Sequence, residues 1–454
     1  MTEQRSGRRL KSSQIDDRLS DLPDSVLSHI LSFLSTQESV ATTILGRRWR
    51  YLWSYVPNLD FDCVNQEIIY RVLLQHKLRS LTAFRLHYAT RCSAYQLETW
   101  ITFAAARNVR KLDLCLKDHV SSRRIALPRC LFTCETLVDL SLDSCGVVPS
   151  SGAVRLPRLK KLDLWYLDYE THESLPRLIS GCPVLEELSI IFYGDIVYCN
   201  VSSPTIKKFL LKFTSEYCGG PDRLEINTPA LEYIEINDYF LNIKIKCGVL
   251  TSLFEANITL QNDGQLCFQS LRKCLDSLCN VKYLTLDLSR CVEIIDSVPS
   301  PWTTSFRNLT QLELIADCCF LPKFLEIADN LEILIFTEQV CRCNIQLKLY
   351  KLCCYDQRYD EEEIEGWKET PQRKVPRCLS SHLRIIKLLD IKGNKHDFEF
   401  IRYLLRNAQV LEMMEIAYAE ALTLEEKVNI LEKISRFQRG SNKCEVAFVD
   451  VKVT

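Results

Sequence analysis

The chain has 454 residues, 47% of them apolar and 25% charged, a globular composition with room for several domains or one long repeat array. Its 57 Lys and Arg against 58 Asp and Glu leave a formal charge of -1, so neither nucleic acid nor an anionic membrane surface is an expected partner. No uninterrupted apolar run reaches the ~18 residues that suggest a membrane-crossing helix, and the opening MTEQRSGRRLKSSQ lacks the apolar segment of a secretory signal.

Residues 1–15 are polar and basic without periodicity, which predicts a disordered tail. Arg5, Arg8, Arg9 and Lys11 within it are either a solvated cluster or a nuclear address, so the expected location is cytoplasm, nucleus or both. Three short helical patterns follow between residues 16 and 62. Pro23 suits a first helical turn, because its fixed φ fits there and its missing N–H would be unpaired anyway. Leu22, Val26, Leu27, Ile30, Leu31 and Leu34 recur at steps of three and four, which predicts one apolar helix face. Ser35 and Glu38 have capping-box spacing, so a second helix should start there and carry Val40, Ala41, Ile44 and Leu45. A third turn or two after Gly46 presents Trp49, Leu52 and Trp53. A unit of roughly 45 residues hides only a modest core by itself. Part of this apolar surface must be covered, either by the rest of the chain or by a separate protein.

Leu22-Pro23, the run Ile30-Leu31-Ser32-Phe33-Leu34, and Arg47-Arg48-Trp49-Arg50 before Leu52-Trp53 resemble a plant-type F-box. The trailing Val56-Pro57-Asn58-Leu59-Asp60-Phe61 belongs to the same resemblance. It implies docking on a Skp-type adaptor, and through it a cullin, in a ubiquitin ligase. Carried over by position, Leu22, Pro23, Leu27, Ile30, Leu31, Leu34, Trp49 and Leu52 are the implied adaptor-contact or core residues; which face the adaptor is left open.

From residue 73 to about 350 one phrase returns: an aliphatic, two other residues, an aliphatic, one other, an aliphatic. It begins at Leu81, Val109, Leu137, Leu159, Leu185 and Ile206, and again at Leu231, Val281, Leu309 and Leu331, with a degraded copy at Leu250. A period of roughly 20–29 residues with this phrase is the leucine-rich-repeat signature. Its last two aliphatics alternate with one polar residue, so they point the same way from a short strand and are buried only when repeats stack. Between the phrases, Leu175 to Val184 reads as a short helix stopped by Gly181 and Pro183, and Phe268, Leu271, Leu275 and Leu278 have helical spacing. The uneven period predicts an irregular solenoid. Cys145 sits in the Asn/Cys slot of its repeat.

Residues 351–375, with the acidic run Tyr359-Asp360-Glu361-Glu362-Glu363, read as an exposed linker loop. Residues 376–454 hold strand phrases from Leu383 and Leu411, a helical face of Phe398, Ile401, Leu404 and Leu405, and a second helix with Leu424, Val428, Leu431 and Ile434. A last strand runs from Cys444 to Val451. Trp367, Val375-Pro376-Arg377-Cys378-Leu379, Gly393 and Arg402-Tyr403-Leu404-Leu405-Arg406-Asn407-Ala408 resemble the FBD module of plant F-box proteins. The expected architecture is therefore an α/β repeat protein: a three-helix F-box, a leucine-rich-repeat solenoid, and a C-terminal α/β cap of FBD type.

The chain has 22 cysteines and seven scattered histidines but no Cys-x-x-Cys pair, so no metal site is expected and most thiols should be buried and reduced. There is no phosphate loop, HExxH or nucleophile elbow, so neither a cofactor nor catalysis by the chain itself is expected. Lys111, Asp139, Lys161, Glu187 and Lys208 form an outward column of alternating sign, read as a lateral charge ladder or a contact surface. Trp165 and Ile191 lie further along consecutive strands and are the candidate substrate contacts, with packing against the chain's own loops as the other reading. The whole resembles a plant F-box/FBD/leucine-rich-repeat protein, which implies a non-catalytic substrate receptor of a Skp–cullin–F-box ligase acting on an unidentified protein. A scaffold or sequestering protein that uses the repeats without a cullin is the alternative.

Overall fold

A single parallel sheet of 15 strands runs from the N-terminal helices to the C-terminal residues of the computed structural model. The structure describes residues 19, 22–88, 93–116, 125–192, 198–214, 223–238, 244–247, 250–260, 275–289, 305–316, 318–338 and 375–450. The expected tail at 1–15, the linker at 351–374, Trp367, Phe268 and Leu271 lie outside the described residues.

The repeat phrase builds the sheet as its alternation dictates. The second and fourth residues of each strand point inward, as with Leu112 and Leu114, Leu162 and Leu164, or Phe209 and Leu211, all at most 2% exposed. Neighbouring strands keep these pairs level: Leu112 lies beside Leu140, Leu140 beside Leu162, and Leu162 beside Leu188. The copy placed at Leu250 is shifted. Its strand is Glu255–Leu260, with Ala256 beside Ile234 and Ile258 beside Ile236. The phrase therefore starts at Leu253, and the small Ala256 in the middle slot concealed it. The return segments vary, as the uneven period predicts. A helix, Ser174–Ser180, fills one of them, whereas Tyr198–Ser202, Arg223–Asn227 and Lys244–Cys247 form a small parallel sheet.

Both ends join this sheet. Strand β1, Asn58–Asp62, is the tail of the F-box-like stretch and pairs with β2, Ala83–Tyr88, placing Leu59 beside Phe84 and Phe61 beside Leu86. Its outer edge meets the N-terminal helices, where the Asp60 N–H donates to Thr36 Oγ1 at 2.7 Å. At the other end, strand Ile385–Ile391 pairs with Ile333–Glu338, and Met413–Tyr418 and Glu445–Asp450 follow. The expected strand–helix–strand–helix–strand order is present. It extends the repeat sheet by three strands.

The helix Lys395–Asn407 turns Phe398, Ile401, Leu404 and Leu405 inward as its spacing predicts. The helix Leu424–Ser435 does so only in part: Ile430 and Ile434 are buried, while Leu424, Val428 and Leu431 are exposed. It packs on the helix Lys395–Asn407, with Lys433 over the Phe398 ring, so only one of its stripes has something to cover.

Asp397 holds the turn into the longer helix. Its Oδ2 accepts the backbone N–H groups of Lys392, Gly393 and Asn394 at 3.0, 2.7 and 3.1 Å, and its own N–H donates to Asn394 Oδ1 at 2.7 Å. Gly393 is needed there: its φ is +77°, and a Cβ would come within 2.6 Å of Ile430 Cγ1. Asp397 is buried, so Asp397→Ala removes the shared acceptor of three backbone donors and should cost about 1–3 kcal/mol. Denaturant unfolding checks this figure; a loss below about 0.5 kcal/mol would show the turn is held by something else.

The cysteines described are free thiols, and most are buried. Burial pushes Cys182, Cys199 and Cys378 up to about 12 and raises Cys145 as well, which leaves these groups protonated and unreactive.

Candidate functional site

The N-terminal helices are set by local chemistry. Helix α1, Asp24–Leu31, starts behind Pro23, which is its N-cap rather than its first-turn residue. Helix α2, Thr36–Ala41, opens on the expected capping box: Glu38 accepts from the Ser35 N–H at 2.9 Å, and Ser35 Oγ accepts from the Glu38 N–H at 3.3 Å. The Ser35 hydroxyl, which donates to Glu38 Oε2 at 2.8 Å, and then the Ser35 N–H hold the Glu38 carboxyl below its usual range. A 3-10 turn, Thr42–Leu45, leads to α3, Trp49–Leu52. The Arg48 guanidinium ties α3 back to α1, donating to Asp24 Oδ1 at 2.7 Å and to the Leu22 carbonyl at 2.5 Å.

The eight implied adaptor residues separate into two groups. Leu27, Leu31, Trp49 and Leu52 are buried together with Val56, and half-buried Leu22 packs against them. They are the unit's own core and present nothing to a partner. Pro23, Ile30 and Leu34 are exposed. The stripe expected as one face is thus two adjacent stripes: Leu27 and Leu31 turn inward, and Val26, Ile30 and Leu34 turn outward. The same unit exposes further side chains that were not among the eight. Phe33 is 76% exposed, Ile44 86%, Leu45 61% and Tyr51 62%. Ile44 and Leu45 were expected to ride on α2, but the 3-10 turn before Gly46 changes the phase and swings them outward. Their position just before a glycine was the available signal.

The later chain covers little of this surface. Lys77 reaches over Tyr51 and Tyr55, 5.2 and 5.7 Å from the ring centroids, and its N–H donates to the Ser54 carbonyl at 2.9 Å. Trp53 turns the other way and joins the core of the solenoid. Large apolar side chains left in water on so small a unit mark a contact surface.

The joint between helices and solenoid holds a buried histidine. His76 follows α4, Gln66–Gln75, and its Nε2 donates to the Val56 carbonyl at 2.9 Å. Its Nδ1 is buried without a partner. Burial holds the imidazole below its ordinary value; the Val56 bond opposes this, and Arg107 adds to it. The fold therefore favours neutral His76. The stability this contributes is complete above the unfolded value, near 6.5, and falls as pH drops below it. The wild-type melting temperature should fall between pH 7.5 and 5.5, and His76→Gln should flatten that slope.

The outer face of the sheet carries the other candidates. Lys111, Asp139, Lys161, Glu187 and Lys208 stand level on consecutive strands. They are not a simple lateral ladder, however. Lys161 binds Asp163 on its own strand at 3.0 Å, and Lys208 lies over the Tyr233 ring. Burial raises the Asp163 carboxyl although Lys161 draws it down. Trp165 and Ile191 are direct neighbours across strands Lys161–Trp165 and Glu187–Phe192, both half-buried. Trp165 Nε1 donates to Ser189 Oγ at 3.1 Å. Trp165 borders a shallow depression of about 430 Å³ whose other walls include Asp113, Asp143 and Lys161.

Comparison with known proteins places each of these parts. The F-box domain family matches residues 19–61, the FBD family residues 370–416, and the leucine-rich repeats of FBD-associated F-box protein At5g56370 residues 97–248. The F-box/FBD/LRR-repeat protein At5g56420 of Arabidopsis thaliana is 31% identical over 95% of this chain and 99% of its own length. The putative FBD-associated F-box protein At5g56440 of the same plant is 30% identical over 95% of this chain and its whole length. The likeness thus runs over nearly the whole length of the chain, which belongs to the plant F-box/FBD/leucine-rich-repeat protein family.

Proposed function

We propose that this protein is the substrate-receiving subunit of a Skp–cullin–F-box ubiquitin ligase. The observation that carries the reading is the set of uncovered apolar side chains Ile30, Phe33, Leu34, Ile44 and Leu45 on a unit of the F-box family, a family that generally docks on Skp-type adaptors. The receptor does no chemistry. It raises the concentration of a bound protein near a ubiquitin-charged enzyme, which is a gain from tethering alone.

Substrate is assigned to the repeat sheet, with Trp165 and Ile191 as contacts, because large half-exposed side chains on a solvent-facing sheet serve as anchors. Replacing both with alanine should lower capture of the protein that the wild type recruits by about tenfold or more while adaptor binding is unchanged. Undiminished capture removes these two residues from the substrate site. Co-purification from plant cells decides between receptor and scaffold: the receptor brings down adaptor and cullin through residues 16–62, whereas a scaffold keeps its repeat-bound partner and no cullin.

A further inference from the structure

The two edges of the long sheet are finished differently. At the N-terminal edge, strand β1 lies against α2, where Thr36 Oγ1 accepts the Asp60 N–H. At the other edge stands Glu445–Asp450, which pairs with Met413–Tyr418 on one side and with no strand on the other among the described residues. The Glu445 N–H donates to the Glu412 carbonyl, toward Met413–Tyr418. Successive backbone groups of a strand alternate sides, so those of Val446, Phe448 and Asp450 face outward. Natural edge strands are commonly blunted by charge, proline or a bulge. Here the register is continuous, and the middle of the strand is Val446-Ala447-Phe448-Val449 with carboxylates only at its ends.

The helix over this edge is uncovered on the same side. The Tyr418 hydroxyl donates to the Lys427 carbonyl at 3.2 Å, and Lys427 Nζ reaches Asp450 Oδ1 at 2.5 Å, so Leu424–Ser435 lies over the last two strands. Lys433 sits over the Phe398 ring of the preceding helix, 3.8 Å from its centroid. At 3.6 residues per turn, Leu424, Val428 and Leu431 share the flank opposite Lys433, away from that helix. They are 79, 48 and 41% exposed. An open strand edge and an apolar helix stripe thus face the same way. Covering both takes a strand edge with a helix stripe beside it, and a second copy of this end is such a surface.

We propose that two copies of this chain join end to end through these two features, about a twofold axis at Ala447. The antiparallel strands then set Val446 opposite the partner's Phe448 and Glu445 opposite the partner's Val449. Inward residues stay on the inner face, and no two carboxylates oppose each other, as they would if Glu445 met the partner's Asp450. Ala447 meets its own copy at a non-hydrogen-bonded position, where strands approach most closely and a small side chain fits. The same axis runs the two helices antiparallel, with Leu424 against the partner's Leu431 and the two Val428 side chains together. The spacing agrees: a helix over the last two strands lies two strand spacings, ~10 Å, from its copy, and helices pack at about 8–10 Å. Glu425 and Glu432 flank the stripe on its solvent side, both exposed, and Glu432 has Arg436 3.9 Å away.

The test is analytical ultracentrifugation of the full-length chain over a dilution series. The wild type should dimerise with a Kd of about 10 μM or tighter. Ala447→Glu and Val428→Asp should each weaken that association about tenfold or more, with circular dichroism unchanged because both side chains are exposed. Ala447→Lys should weaken it likewise, and mixing it with Ala447→Glu should restore dimers holding one copy of each. A wild type that stays monomeric at about 100 μM, or a dimer indifferent to all three substitutions, overturns the proposal. A mixed pair that fails to dimerise overturns the twofold axis at Ala447. The N-terminal helices lie at the opposite end of the sheet, so loss of dimers with adaptor binding intact separates this contact from the receptor reading.

Discussion

Ile44→Asp with Leu45→Asp should reduce affinity for the Skp-type adaptor by about a hundredfold or more and leave the fold intact. Both side chains are largely in water, so the substitutions remove no internal packing. In a complex they would enter an apolar interface, where losing a large buried side chain costs about 1–3 kcal/mol and adding a charge costs more. Two such losses amount to about 3 kcal/mol or more, hence the hundredfold figure. Leu27→Ala and Trp49→Ala provide the contrast. They lie in a small core of Leu27, Leu31, Trp49, Leu52 and Val56 with Leu22 against it, and should cost about 2–5 kcal/mol of stability. The two classes separate in a paired experiment, binding by titration calorimetry and unfolding by denaturant. If the aspartate pair bound adaptor as the wild type does, the exposed face would not be the docking surface.

Phe400→Ala should destabilise the molecule by about 3–5 kcal/mol, and the damage should spread into the last leucine-rich repeat. Phe400 is fully buried on the helix Lys395–Asn407 and meets Phe336, also fully buried, edge-on with centroids 5.7 Å apart. Phe336 belongs to the strand Ile333–Glu338, and the adjoining strand Ile385–Ile391 places Leu388 beside it. The FBD-type segment is therefore packed into the repeat array through side chains and sheet alike. Hydrogen exchange should show strands Ile333–Glu338 and Ile385–Ile391 losing protection together. Two separate transitions, with the repeat strands untouched by the substitution, would instead describe an independent cap.

Local chemistry made much of this legible. The Ser35–Glu38 box starts a helix because both bonds form within four residues. Phe398, Ile401, Leu404 and Leu405 share a face because the helix repeats every 3.6 residues. The recurring phrase became a strand wherever aliphatics filled its slots, and it was misplaced at Leu250 only because Ala256 is too small to announce an inward position. The charge column shows the limit of this reasoning. Its register is as expected, yet Lys161 found Asp163 on its own strand, and lateral pairs lie one position earlier, at Lys160, Glu186 and Lys207. Register follows from backbone pairing, whereas the reach of a lysine to one of several carboxylates depends on rotamers that spacing does not encode.

By itself the sequence determined the kind of each part: capped helices, a stacked array of short strands, and a terminal run of the same α/β units. It did so because capping, periodicity and alternation act over a few neighbouring residues. Only the tertiary structure decided which apolar residues go inside. Leu27 and Leu31 face Trp49 and Leu52 and are buried, while Ile30 on the same helix and Leu34 just past its end are exposed. The fusion of helices, repeats and terminal strands into one sheet was decided at the same level. Burial depends on what stands opposite a side chain, and the opposing residues arrive from distant parts of the chain.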